Sequence, residues 1–400
     1  MGEAKRNNSS PRMTNAIIRI IQIVAAVGVV SSSLYYLLSL WSASKFLRSR
    51  KATAPSGGAF EPPISVLKPL KGVDPEMYES FRSQCLQDYP QYEIIFGVSD
   101  ANDPAIEIVK KLILEFPRPG MISWVVCPEI LGTNIKVSNL AQVIRLAKYD
   151  HLIVNDSDIR VERDYLRRVI APLADSQVGM VTCLYRGIAG RSLGSRLEAM
   201  GISTDFIPGV LTAQELEDGI HFGLGSTLAF RRTDLKKIGG FESIVDYLAD
   251  DYELGKRIAG LGLKVKLSDV VVETFLPPYR FRDFLAHQLR WARGVRDARP
   301  GGYFGLIFTF GIFWALVALV ASRGAVWSCI ASAVVLILRL AVAFTVGGKV
   351  LRDRQVGKYF WLVPLRDLIA VVVWIVSLAG HTVTWRGQRF KLNDGRLTRI

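Results

Sequence analysis

The hydrophobic pattern divides the chain into two apolar ends and a mixed middle. Residues 20–44 carry no charge, and about 20 apolar residues suffice to cross a bilayer as a helix. Tyr35, Tyr36 and Trp41 lie toward the far end of this run, where an interfacial belt belongs. The run is longer than a signal-peptide core, so it reads as a retained anchor. Lys45, Arg48, Arg50 and Lys51 follow at once and place the next residues in the cytoplasm, although Lys5, Arg6 and Arg12 of a basic tail (1–19) oppose that orientation.

At the other end, residues 301–322 are uncharged and read as a span, and 324–348 read as another that holds Arg339. An intramembrane Arg faces the helix bundle or a polar site. The last apolar stretch runs either over 359–380, with Arg366 and Asp367 inside it, or over Leu368–Trp385. The second placement is expected, with Tyr359–Leu365 in the interface, so that 301–385 holds two to three spans before a basic tail, 386–400. Four full spans around a cytoplasmic middle would leave both termini outside. Yet Arg386, Arg389, Lys391, Arg396 and Arg399 mark the tail as inside. Either the tail breaks the charge rule, or one segment dips in without crossing.

Between these ends, after a linker at 45–63, strand-like and helical stretches alternate. Strands are expected at Ile64–Leu67, Tyr92–Val98, Ile122–Val126, Leu152–Val154, Val178–Leu184, within Phe222–Phe230 and at Val265–Glu273. Helices are expected near 76–86, 103–116, 139–146, 164–174, 191–206, 233–239, 247–258 and 281–296. Such alternation predicts an α/β domain over 64–300, built on a mostly parallel sheet with crossover helices.

Composition changes the picture little. The chain has 400 residues, 50% of them hydrophobic, and a net charge of +14. Its mean hydropathy is +0.25, and the excess sits at the ends. The basic balance fits an anionic membrane surface. No basic–aromatic motif accompanies it, which argues against nucleic acid. The four cysteines lie far apart and form no CxxC pair, so they read as reduced thiols, and the four scattered histidines argue against a zinc site.

Candidate chemistry centres on His151-Leu-Ile-Val-Asn-Asp-Ser-Asp-Ile-Arg-Val161. Asp156 and Asp158 follow the central strand. If the chain stays extended there, residues two apart point to one side and both carboxylates can meet one cation. Mg²⁺ or Mn²⁺ held by two carboxylates and a substrate diphosphate is the sharp reading. A turn with a helix cap is the bland one. Asp100 also ends a strand and should face the same crevice, outside the carboxyl ends of the parallel strands; it reads as a nucleotide ligand or as a cap for the helix near Asp103. Lys136, just before a helix, reads as a point charge for a diphosphate or as a solvated Lys. Asp250 and Asp251 read as first-turn acids or as the source of a general base, with at most one facing a given substrate. Arg290 and Trp291 lie on a basic amphipathic helix just before the membrane, which reads as a diphosphate and acceptor site or as a surface anchor.

The ordered set is more specific than its members. Asp100, Asp156-x-Asp158, Asp251 and Arg290-Trp291 before membrane spans resemble the D, DxD, D, (Q/R)xxRW pattern of membrane glycosyltransferases with a GT-A fold. Ile64-Ser-Val-Leu-Lys-Pro-Leu-Lys-Gly-Val-Asp-Pro75, Gln87-Asp-Tyr-Pro90, Asp103-Pro-Ala105, Asp156-Ser-Asp-Ile-Arg-Val161 and Ala249-Asp-Asp-Tyr252 resemble the ceramide glucosyltransferase family. The likeness runs from about residue 60 to 300. Lys136-Val-Ser-Asn-Leu140, Val181-Thr-Cys-Leu-Tyr-Arg186 and Arg290-Trp-Ala-Arg293 look most like bacterial members associated with hopanoid biosynthesis.

The resemblance implies an inverting transferase that moves a sugar from a UDP-sugar to the hydroxyl of a membrane lipid, at a bacterial inner membrane. Asp100 would contact uridine, Asp156 and Asp158 would hold metal and diphosphate, and Asp251 would be the base. Arg290 and Trp291 would complete the product side. The chain departs from the pattern at its first (Q/R) position, which falls on His287, with Gln288 one residue late. A processive polysaccharide synthase shares these motifs but needs more spans for its channel. A non-catalytic membrane scaffold is disfavoured by aspartates at every expected position.

Overall fold

The computed structural model describes residues 9–52, 60–385 and 387–400. Lys5, Arg6, the 53–59 part of the linker, Arg386 and the side chains of Arg12 and Lys51 lie outside the described residues.

Eight strands form the central sheet: β1 Ile64–Leu70, β2 Tyr92–Val98, β3 Ile122–Val126, β4 His151–Val154, β5 Ile159–Arg160, β6 Val178–Ile188, β7 Leu228–Arg231 and β8 Lys264–Phe275. Their order is β3-β2-β1-β4-β7-β6-β8-β5. β1 pairs in parallel with β2 and β4, β2 with β3, and β6 with β8. β7 runs antiparallel between β4 and β6, and β5 runs antiparallel to β8. The expected mostly parallel sheet is therefore present, with two reversed strands. All seven residues of β1 are buried, as fits a parallel strand covered on both faces.

β1 continues through Lys68 and Pro69, where the sequence reads as a break. Its pairing with β4 stops at Leu67, opposite Val154. Pro69 thus lies where one neighbour has ended, and its missing N–H costs no bond on that side. The chain leaves β1 toward β2 on one side and β4 lies on the other, so a crevice opens at their carboxyl ends.

The helix Ser9–Ala52 exposes Ile20, Val24, Val27, Leu34 and Leu37. It packs on the helix Gly311–Ala321, where a Cβ at Gly28 would strike the Trp314 ring, and Tyr36 accepts from Gly311 N at 3.2 Å. Among the described residues, three helices are long and apolar enough to cross a membrane: Met13–Arg50, Val326–Val350 and Arg354–Leu378. Pro300–Thr309 and Gly311–Ala321, bent by 49°, would make a fourth. Arg339 is buried and forms a two-pronged ion pair with Asp367, 2.7 Å at each contact.

The last apolar helix ends at Leu378, short of the expected Trp385. Gly380 turns the chain with φ +77°, and Thr382–Trp385 is strand β9. The tail also folds: β10 (Gln388–Asn393) pairs antiparallel with β9 and with β11 (Arg396–Arg399). Val383, Phe390, Leu392 and Leu397 form its core. Both ends of Arg354–Leu378 rest on the α/β domain. Arg186 donates to Leu351 O at 2.6 Å and Gln355 to Gly187 O at 2.7 Å. At the far end Arg293 donates to Ala379 O at 2.9 Å.

Candidate active site

After β4 the chain turns. Asn155 is fully buried and donates to Tyr165 Oη at 2.8 Å and Ser226 O at 2.9 Å, which anchors the turn. Residues 157–158 lie in this turn, so the extended geometry expected for Asp156 and Asp158 does not hold. The two carboxylates take different partners. Asp156 accepts from Lys136 Nζ at 2.8 Å. Asp158 accepts from the Thr274 hydroxyl on β8. Burial, then the charge of Asp156, pushes the Asp158 carboxyl up to about 7.

Lys136 lies inside the helix Ile135–Val143 rather than before it, because Asn134 caps that helix by accepting from Val137 N. Its ammonium also meets Asp250 at 3.1 Å. Burial works against its charge, but Asp156 and Asp250 outweigh burial, and its pKa is raised. A second cation, which sequence reasoning missed, lies below. Lys68 is fully buried and donates to Asp156 O at 3.0 Å. Burial lowers its pKa to about 8, with Asp158 and Asp156 in partial opposition. A lysine inside the apolar run Ile64–Leu70 was the available signal.

The helix Asp250–Gly260 presents its two acids in different directions. Asp250 faces Lys136, whereas Asp251 Oδ2 accepts from Gly225 N at 2.7 Å. A Cβ at Gly225 would stand 3.2 Å from both Asp156 Oδ2 and Asp251 Oδ2, so the two carboxylates flank one bare Cα. Burial, then Asp250, raises the Asp251 carboxyl to about 6, while Lys136 acts in the opposite sense. A carboxylate with a pKa near the working pH is suited to taking a proton.

Asp100 stands apart. It is exposed at the end of β2 and closes its own turn by accepting from Asn102 N at 2.9 Å. Asp103, two residues before the next helix, accepts on its carboxylate from Ala105 N and from Gly72 N. No described contact joins Asp100 to the carboxylates around Gly225.

Arg290 and Trp291 lie on the helix Phe281–Ala298. Trp291 packs against Phe206 and His287, with ring centres 5.9 and 5.2 Å apart. Phe206 in turn meets Tyr185 of β6 at 5.9 Å. Burial, then the negative charges of Asp251 and Glu198, holds the Tyr185 hydroxyl well above its usual range, so this aromatic path runs between Asp251 and Trp291. The Tyr279 hydroxyl is pushed up to about 12 by burial and Glu198, with Arg290 opposing.

His287 stacks on Tyr279 at 5.5 Å and lies 3.3 Å from buried Glu198. Gln288 reaches the same Glu198, donating to it at 2.9 Å, and accepts from Arg366 at 2.6 Å. His287 lies one turn from Trp291, against its ring. Glu198, an acid in an otherwise buried helix turn, was also missed from the sequence.

Among the described residues, no group of three or more His, Cys, Asp or Glu side chains is arranged for a metal. Asp156 has 41% of its side chain exposed, and carboxylates are the ligand type that Mg²⁺ or Mn²⁺ takes together with substrate phosphates. The negative charge crowded at Asp158 is what a cation would relieve.

A mixed sheet in this order, with acids in the turn after β4, is the GT-A fold. The mannosyltransferase PcManGT from Pyrobaculum calidifontis, solved with GDP-Man and Mn²⁺, shares it. That likeness has a TM-score of 0.52 and 20% identity, over 90% of this chain and 99% of that one. Residues 24–398 match glycosyl transferase family 21, and the chain belongs to that family. It is 25% identical to ceramide glucosyltransferase 3 of Caenorhabditis elegans, over 96% of this chain and 84% of that protein. It is 31% identical to the ceramide glucosyltransferase of Komagataella phaffii, over 38% of this chain and 31% of that protein.

Proposed function

We propose that this glycosyltransferase moves a sugar from a UDP-sugar to a hydroxyl of a membrane lipid, with inversion. The observation that carries the reading is the pair of carboxylates across Gly225. One of them, Asp251, is half-buried, raised to about 6 and held by a backbone N–H.

In this reading Asp251 accepts the proton of the acceptor hydroxyl as that oxygen attacks the anomeric carbon from the face opposite UDP. A single displacement converts an α-linked donor into a β-linked product. Lys136, and Arg290 from the facing helix, offset the charge of the departing diphosphate. Asp100 contacts the uridine. A divalent ion held by Asp156 and Asp158 would supply further charge compensation. Trp291 walls the acceptor site. His287, oriented by Glu198, takes the place of the Gln or Arg at the start of the motif. The lipid reaches the crevice from the bilayer, between the Phe281–Ala298 helix and the apolar helices.

Family 21 membership and the ceramide glucosyltransferase relatives support a lipid acceptor. In this reading the catalytic domain lies in the cytoplasm, at a bacterial inner membrane. Two substrate pairs fit: UDP-glucose with ceramide, and UDP-N-acetylglucosamine with a hopanoid polyol. The test offers both donors with ceramide and with bacteriohopanetetrol to membranes carrying this protein, in Mn²⁺ or Mg²⁺, beside Asp251→Asn. Transfer to one lipid that falls by about 10²-fold or more in the variant is expected. Equal activity in the variant removes Asp251 as base. Polymer formation without lipid product replaces the reading by a processive synthase.

A further inference from the structure

The sheet β9–β11 has no part in the chemistry above, yet it grips two parts of the site. Leu397 N donates to Asp246 O at 2.7 Å, and Leu248 N donates to Gly395 O at 3.0 Å. Leu248 packs on the sheet's core of Val383, Phe390, Leu392 and Leu397. The ring of Tyr247 lies between the guanidiniums of Arg257 and Arg396, at 5.4 and 5.2 Å. These residues lead straight into Asp250 and Asp251.

The same sheet holds the acceptor-side helix. Asp297, in the last turn of Phe281–Ala298, accepts from Gly395 N. Arg293 donates to Thr382 O at 2.5 Å. Leu248 also faces that helix, since a Cβ at Gly294 would lie 3.3 Å from its side chain. The strip 245–249 has no regular helix or strand of its own, so its backbone groups need outside partners. It finds them in the sheet and in Asn134, which donates to Tyr247 O at 2.8 Å.

We infer that the sheet β9–β11 is a positioning clamp for transfer. By holding Asp246–Leu248 against the Phe281–Ala298 helix, it sets where Asp251 stands relative to the acceptor. This rests on the reading of Asp251 as base and of that helix as the acceptor wall. The sheet touches no substrate. It acts through the geometry of residues that do, and a misplacement of about 1 Å is worth about 10²-fold in rate.

The test uses the full chain with three substitutions. Gly395→Ala forces a side chain onto a residue at φ +76°, 3.2 Å from the Tyr247 ring. Asp297→Ala removes the acceptor for Gly395 N. Lys391→Ala, on the exposed face, is the control. Transfer kcat, acceptor KM, UDP affinity and the unfolding midpoint are measured on each. The clamp predicts that both site-facing variants lose about tenfold or more in kcat, while UDP affinity stays within about twofold and Lys391→Ala matches the unmodified chain. Unchanged kcat overturns the clamp. Loss of UDP affinity in step with kcat also overturns it, because the sheet is then an ordinary scaffold. If Gly395→Ala does not fold, Asp297→Ala decides between the same outcomes. No transfer by the unmodified chain to either lipid, with UDP still bound, refutes the proposed function instead.

Discussion

Burial sets the charge state of the carboxylates around Gly225, and that has a measurable sign. Asp158 stands near 7 and Asp251 near 6, both above the ordinary 3.8. Between about pH 4 and 7 the folded chain therefore keeps protons that the unfolded chain has released. Without metal, stability from these groups is fully present at low pH and is lost as pH rises through 6 and 7. The denaturant midpoint of the metal-free protein should be higher at pH 5 than at pH 8. Asp158→Asn should flatten this dependence, and an unchanged slope in that variant would refute the assignment. At Gly225 an added methyl would lie 3.2 Å from both carboxylates. Gly225→Ala should lower transfer by about 10²-fold while the unfolding midpoint changes little. Neither Gly225 nor Lys68 stood among the candidate site residues, but both are legible in hindsight: one as a glycine before a strand, the other as a charge in an apolar run.

Among the elements, helices were easier to find than the ends that matter. Asn134 moved the start of the Lys136 helix back by one turn, and this puts the ammonium between two acids. The apolar helices hide a second such decision. Arg339 and Asp367 lie on different helices, and their bidentate pair makes both charges tolerable in a buried place. Breaking one member of such a pair costs about 3–5 kcal/mol. Asp367→Asn should thus lower the unfolding midpoint in detergent markedly, and joint replacement of both residues by Leu should recover most of the loss. A double variant no better than the single one would show that the pair holds more than charge.

For the whole molecule, contacts with the α/β domain constrain the path through the membrane. Arg186 holds Leu351 O, and Arg293 holds Ala379 O. The chain thus leaves and re-enters the same domain across Arg354–Leu378. A helix tethered so at both ends is expected not to cross the bilayer. The bent segment and Val326–Val350 would then form a hairpin that goes out and returns, with the basic β10–β11 region on the catalytic side. A single cysteine introduced at Gly324 should react with an impermeant thiol reagent from the side opposite to one at Lys391, with Cys329 replaced. Labelling of both from one side would refute this topology.

The α/β pattern, the apolar ends and the order of the aspartates follow from the sequence alone, because periodicity and residue type are local properties. So does the resemblance that rests on them. The turn at 156–158, the contacts of His287 and Gln288, and the pairing of Arg339 with Asp367 needed the tertiary structure. Each depends on a partner far along the chain: Tyr165 and Ser226 for the turn, Glu198 and Arg366 for the helix face, and a neighbouring helix for the buried Arg. The tail shows the same limit. Its five basic residues read as a basic tail on the inner side, but the alternation of Val383, Phe390, Leu392 and Leu397 gains meaning only once Leu248 supplies the surface they cover.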